Sequence, residues 1–285
     1  LGSATIICSD KTGTLTLNQM TVRDIWSNND HFTVTGGGYE PAGEFQINGA
    51  RIDPGSSPGL MRILRIAALC NDAILSRGSS GWDILGDPTE GALLALAGKA
   101  GICKADLEAA NPPLDEIPFE SEKQFMATLH AEDGRRTAYI KGSVERLAAM
   151  CGRVQTAEGE RALDEPLRQA ILDANRAMAA RALRVLAIAA APYPVELGKL
   201  DPAKLTDRAV FLGLVGMIDP PREEARRAID ECKKAGIRVV MITGDNPHTA
   251  SAIAAQLGLC TPGDKAIVGR EIEAMSDEQL LDACR

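Results

Sequence analysis

The stretch "IICSDKTGTLT" at residues 6–16 carries the first residues that could do chemistry. Apolar Ile6, Ile7 and Cys8 run into Asp10, followed by Lys11, Thr12, Gly13 and Thr14. A second polar run, Thr243, Gly244 and Asp245, follows the apolar "IRVVMI" of residues 237–242. A carboxylate can act as a covalent nucleophile toward phosphorus. The transferred group carries negative charge on its equatorial oxygens, so it needs a cation, hydroxyl donors and free backbone N–H groups. Lys11, Thr12, Thr243 and the amides beside Gly13 and Gly244 are parts of that kind. Either run alone also reads as a turn or a helix cap, and "TGDNP" is a good N-cap with Pro following. Two such runs, each ending an apolar strand, favour the catalytic reading.

For the two runs to meet, their strands must lie side by side. The C-terminal part has the texture such a sheet needs. "AVFLGLVGMID" (209–219) reads as a buried strand, "PPREEARRAIDECKKAG" as a helix, "IRVVMI" as a strand and "PHTASAIAAQLG" as a second helix. Glu223 and Glu224 in the first turn, Lys233 and Lys234 in the last, and Gly236 as the stop sign the first helix. Alternation of this length implies a parallel sheet with helices on its faces, and ligands of such sheets bind beyond the carboxyl ends of strands. "ATIIC" reads as one more buried strand of that sheet.

Residues 23–213 read differently. "HFTVTGGGYEPAGEFQING" suggests a hairpin with a loose turn, and "FMATLHAEDGRRTAYIKG" two strands around "EDGR". Helices are expected over "GLMRILRIAALC", "DPTEGALLALAGKAG", "SVERLAAMC" and "EPLRQAILDANRAMAARA", with a strand over "LRVLAIAAAPY". The expected organisation is a parallel-sheet domain (1–22 and 214–285) interrupted by an α+β domain (23–213) with an antiparallel sheet.

Composition narrows the partners. The 285 residues carry a net charge of −8, which argues against nucleic acid or an anionic membrane surface. The 7 cysteines are scattered without a C-x-x-C, as expected for reduced thiols and not for a disulfide frame or zinc site. His31, His130 and His248 are too far apart to suggest a metal cluster. No apolar stretch approaches the roughly 20 residues of a membrane helix. The chain starts inside a strand, which suggests a piece of a longer protein.

"CSDKTGTLTLNQMTV", "GDPTEGAL", "KGSVERL", "MIDPPR" and "MITGDNPHTA", in that order, resemble the signatures of P-type cation-transporting ATPases, of the calcium-pump-like kind. The resemblance spans essentially the whole chain. It implies a haloacid-dehalogenase-like phosphorylation domain, incomplete here, interrupted by a nucleotide-binding domain. It implies that Asp10 accepts the γ-phosphoryl of ATP, with Mg²⁺ bridging the Asp10 carboxylate, the Thr12 carbonyl and the phosphate. Thr243 and Gly244 would hold the phosphoryl group, and Asp245 would order the nucleotide and the loop. Asp219 and Arg222 would sit at the hinge, near the phosphates.

In the nucleotide-binding domain, the resemblance gives Phe119 the role of stacking on adenine and Glu90 that of accepting from the adenine amino group. Lys141 would line the pocket floor with Gly142, where a side chain would block the purine. Arg184 would reach a phosphate. Gln124 stands where the animal calcium pumps place a lysine. The Gly-Asp-Gly-x-Asn-Asp motif and the neutralising lysine of the family are absent from these residues, as are its membrane helices. The resemblance therefore implies a soluble piece that binds nucleotide without turnover. Its partners would be ATP and the rest of the same polypeptide, the actuator domain and transmembrane helices, at the cytoplasmic face of a membrane.

Two further readings bear on function. A soluble haloacid-dehalogenase-type phosphatase shares the Asp-first sheet, but such enzymes carry a second Asp where Thr12 stands. The glycines of "TGGGY" (35–39) lack a strand–loop–helix context and are expected to form a hairpin turn. "LLALAGKAG" has Leu93 where a P-loop needs its first glycine.

Overall fold

The computed structural model describes residues 4–279 except 80, 133, 245, 246, 262, 263, 265 and 277. The chain divides into two compact units, Gln19–Asp219 and Leu1–Asn18 with Pro220–Arg285. The expected boundaries at 22 and 213 fall inside strands Thr21–Ser27 and Val210–Ile218, whereas the units divide at 18/19 and 219/220.

The larger unit is built on one sheet. Its strands lie in the order Ala50–Ile52, Phe45–Ile47, Asp30–Val34, Thr21–Ser27, Val210–Ile218, Arg184–Pro192, Arg135–Gly142, Phe125–Glu132 and Pro113–Glu120. Every neighbouring pair along that order is antiparallel. A side ribbon, Arg153–Thr156 with Gly159–Ala162, joins Val210–Ile218 in parallel. All nine residues of Val210–Ile218 are buried, and because side chains alternate along a strand, both of its faces are covered. Here the structure corrects the sequence reading: this strand is the centre of an antiparallel sheet and not a member of a parallel one. Its last residue closes the unit, since Ile218 pairs with Thr21 near the unit's start.

Helices Pro58–Leu69 and Pro88–Lys99 share one apolar core with this sheet, through Leu60, Ile63, Leu64, Leu93 and Leu96 against Ile25, Phe32 and Val215. Their starts follow local chemistry. Ser57 accepts from Leu60 N and Asp87 from Thr89 N, each with Pro at the first helical position. Asp164 caps Glu165–Ala179 by accepting from Leu167 N, and Ser143 caps Val144–Met150 by accepting from Arg146 N. A separate hairpin, Ile74–Gly78 with Gly81–Leu85, was not foreseen from the sequence.

In the smaller unit, Ile6–Asp10 pairs in parallel with Arg238–Ile242. Among the described residues this unit contains no third strand, so the expected parallel sheet is reduced to a two-stranded ribbon. Ile6 and Ile242 are consequently exposed, not buried as the apolar runs suggested. Glu223–Lys234 and Pro247–Gln256 form the two expected helices, and Lys233 Nζ donates to the Gly258 carbonyl. No helix of the described residues is long and apolar enough to cross a membrane.

Candidate functional site

The ribbon of the smaller unit places Asp10 opposite Ile242, so Thr243 follows immediately on the neighbouring strand. Asp10 is exposed at the strand end. The chain then turns through Lys11–Leu15, with Thr16 N donating back to the Lys11 carbonyl at 3.0 Å. Gly13 sits at φ +74°, a left-handed conformation that costs a residue with a Cβ about 1 kcal/mol or more. Lys11 belongs to this turn and is buried. Arg222 grips the turn from the other strand connection: Nε donates to the Thr16 carbonyl at 2.9 Å and Nη2 to the Gly13 carbonyl at 3.2 Å. Gly244 is exposed, with nothing near the place a Cβ would occupy. Asp245 lies outside the described residues.

In the larger unit, Glu90 occupies the first turn of Pro88–Lys99 and Lys141 the end of Arg135–Gly142. The two are ion-paired through Lys141 Nζ and Glu90 Oε1, with side chains only 8% and 13% exposed. Lys141 Nζ also donates to the Cys70 carbonyl at 2.6 Å. Glu90 Oε2 accepts from Asp72 N at 3.2 Å. Asn71 Nδ2 donates to the Glu90 carbonyl at 2.9 Å, and Lys104 Nζ holds the carbonyls of Asn71 and Ala73. The turn at residues 70–73 is therefore clamped by two lysines and one carboxylate. The sequence reading found Glu90 and Lys141 but missed this turn, whose "CND" after an apolar helix was its only signal. Burial pushes the Cys70 thiol up, with the Lys141 charge acting in the opposite direction.

Gly142 follows Lys141 in a packed corner. A Cβ there would lie 2.5 Å from the Gln124 carbonyl oxygen, 2.6 Å from Phe125 Cβ and 2.9 Å from Leu147 Cδ1. The structure thus supplies a reason for glycine within the fold itself, with no ligand needed. Gly142→Ala is expected to destabilise the chain by about 1–3 kcal/mol through overpacking. Thermal unfolding without nucleotide checks this, and an unchanged midpoint would show that the corner can relax. Gln124 adopts φ +59° in the turn before Phe125, and its carbonyl accepts from Ser143 N at 2.9 Å.

Phe119 is 60% exposed on Pro113–Glu120. The ladder to Phe125–Glu132 loses register between Ile117 and Glu120, where Pro118 has no N–H to give. That irregularity leaves the ring on the surface, two strands from Lys141. Arg184 is exposed at the start of its strand, opposite Met217. Asp219 is half-buried, and its Oδ1 accepts from Gln19 N at 3.2 Å. Glu90 and Lys141 thus meet directly and Gln124 meets Gly142, whereas Phe119 and Arg184 stand apart from that pair. His130 is a core residue between the Asn111 carbonyl and Thr128 Oγ1. Among the described residues no group of three or more His, Cys, Asp or Glu side chains could hold a metal ion.

Comparison with known proteins follows the same lines. Residues 59–224 match the family described as P-type ATPase, cytoplasmic domain N. The chain is 46% identical, over 99% of its length, to a cation-transporting ATPase of Synechocystis sp., of which it covers 32%. It is 39% identical over 98% of its length to a calcium-transporting ATPase of Bacillus subtilis, again covering 32%. The human calcium-transporting ATPase type 2C member 1 is 37% identical over 98% of the chain, which spans 29% of that protein. The chain thus spans about a third of the length of these relatives. With its central antiparallel sheet and a family match over more than half its residues, the chain belongs to the P-type ATPases, as the region carrying their cytoplasmic domain N.

Proposed function

We propose that this chain is the ATP-binding and phosphorylation region of a cation-transporting P-type ATPase, and that Asp10 accepts the γ-phosphoryl group of ATP. The observation that supports the proposal is the parallel register of Asp10 with Ile242, after which Thr243 and Gly244 come next in the chain. In this reading the smaller unit is the start of a haloacid-dehalogenase-like phosphorylation domain. The Thr243 hydroxyl and the amides near Gly13 and Gly244 bind equatorial phosphate oxygens. Arg222, fixed on the Gly13 and Thr16 carbonyls, holds the shape of the loop that presents Asp10.

The exposed Asp10 carboxylate and the Thr12 carbonyl are hard oxygen donors of the kind Mg²⁺ takes, alongside phosphate oxygens and water. Thr12 has ψ 123°, which takes its carbonyl out of the helical ladder of the turn. Bound there, Mg²⁺ would offset the negative charge that builds up as phosphate approaches a carboxylate. Thr12 in place of a second aspartate removes the acid that a soluble phosphatase would use on water. In the larger unit, Glu90 has two of its roughly four lone-pair positions filled, by Lys141 and Asp72 N, and can still accept from an adenine amino group. The exposed Phe119 ring offers a stacking face, Arg184 and Asp219 serve the phosphate end, and Gln124 takes the rim position. The remaining polypeptide of the parent, its actuator domain and membrane helices, would convert this chemistry into ion movement from the cytoplasmic face.

Titration of the 285-residue chain with ATP and AMP tests the adenine pocket. Both are expected to saturate with affinities within about tenfold, between micromolar and millimolar, or about −8 to −4 kcal/mol. Phe119→Ala should weaken both about fivefold, the worth of one aromatic stacking contact of about 1 kcal/mol. Unchanged binding by Phe119→Ala, with unchanged circular dichroism, would move the pocket elsewhere.

A further inference from the structure

Lys99 closes the helix whose first turn carries Glu90, and its side chain runs through a slot in the Thr35–Gly43 loop. Its Nζ donates to the Thr35 carbonyl at 2.7 Å. A Cβ at Gly36 would stand 3.2 Å from that Nζ, and one at Gly43 would stand 3.2 Å from Lys99 Cδ. The same two Cβ atoms would collide with the Ala42 and Thr35 carbonyls, at 2.1 and 2.3 Å. Gly36 of "TGGGY" and Gly43 thus form the walls of a lysine channel, a role the hairpin alone does not require. The Arg23 guanidinium sits on the same loop, its Nη1 donating to the Gly36 carbonyl at 2.8 Å.

The slot opens on a cavity of about 340 Å³ lined by Lys99, Glu44, Arg51 and Asp53 among others. The other charged groups there are already engaged. Arg51 pairs with Glu44 at 3.0 Å, and Asp53 Oδ1 accepts from Gly55 N at 3.0 Å. We propose that Lys99 is a modification site, acylated at Nζ by small acyl phosphates that enter this cavity. A desolvated lysine beside another cation is the arrangement that turns an amine into a nucleophile. Burial, and then the Arg23 charge, pull the Lys99 ammonium down to about 8. In the step, neutral Nζ attacks the acyl carbon and an N–C bond forms. The C–O bond to phosphate breaks, inorganic phosphate leaves with the electron pair, and the nitrogen releases a proton to solvent. One remaining N–H of the amide can keep the Thr35 carbonyl satisfied, while the positive charge facing Arg23 is removed.

The test is lysine-resolved mass spectrometry of the intact 285-residue chain exposed to acetyl phosphate. At pH 7.5 roughly a quarter of a group titrating near 8 is neutral, against about one in a thousand for an ordinary lysine. Lower basicity takes back part of that gain, so Lys99 should be labelled about tenfold faster than exposed Lys199 and Lys234. Its rate should level off above pH 8–9, and in urea the three lysines should react alike. Arg23→Gln should move the midpoint upward. Labelling of Lys99 no faster than Lys199 in the folded chain, or a rate still climbing past about pH 9.5, would overturn the proposal.

Discussion

Asp10→Asn in the full-length polypeptide is expected to abolish covalent phosphorylation from ATP. Wild-type protein incubated with radiolabelled ATP and Mg²⁺ and quenched in acid should carry label that hydroxylamine releases, the behaviour of an acyl phosphate. The substituted side-chain amide keeps nearly the same shape but lacks the anionic oxygen that attacks phosphorus. Loss of label should therefore reach background while nucleotide binding and the unfolding midpoint stay within error. Label persisting in the variant would place the acceptor elsewhere and sink the assignment of the Ile6–Asp10 strand. The same quench on the 285-residue chain should give near-background label. Lys11 belongs to the turn after Asp10 and is buried, so it is poorly placed to offset the charge of an aspartyl phosphate.

Lys141→Met should be the most damaging single change in the larger unit. It leaves the Glu90 carboxylate, 13% exposed, without its ammonium and the Cys70 carbonyl without its donor. Removing one partner of a buried pair typically costs about 3–5 kcal/mol, because the other charge stays desolvated. For a unit of this size that lowers the melting midpoint by roughly 6–20 °C, and nucleotide affinity should fall at least tenfold with the distorted turn at 70–73. The double variant Lys141→Met with Glu90→Gln separates the causes. It should recover most of the stability, since no uncompensated charge remains, but little of the affinity. If the single variant melts like wild type, the pair is solvated in solution and contributes nothing to the corner.

How far sequence led depends on where the deciding forces lay. Helices Pro58–Leu69, Pro88–Lys99 and Glu165–Ala179 were legible because Ser57, Asp87 and Asp164 cap them locally with prolines in place. The hairpin around Gly134 was legible from its turn. The membership of Val210–Ile218 was not, because a strand buried on both faces reads as a continuous apolar run in either kind of sheet. Ile74–Gly78 and Gly81–Leu85 escaped notice since exposed Ile74 and Leu85 pair at their open end and break the alternation. The pairing of the strands that end in Asp10 and Ile242 was legible from strand logic alone. The engagement of Lys141 by Glu90 and the Cys70 carbonyl depends on tertiary contact between residues far apart in the chain, which spacing does not encode.

The pairing of Thr21 with Ile218 has a consequence for the order in which the chain folds. Joining Ile6–Asp10 to Arg238–Ile242 from an unfolded chain means closing a loop of about 230 residues, at an entropic cost of roughly 5 kcal/mol. Once the larger unit has formed, its two ends are hydrogen-bonded neighbours, and the loop left to close behaves as one of about 30 residues. The cost falls by about 2 kcal/mol, a gain of more than tenfold in the closing equilibrium. The inserted unit therefore acts as a clasp: the ribbon of Ile6–Asp10 and Arg238–Ile242 should assemble last and open first, leaving the antiparallel sheet intact while it does so.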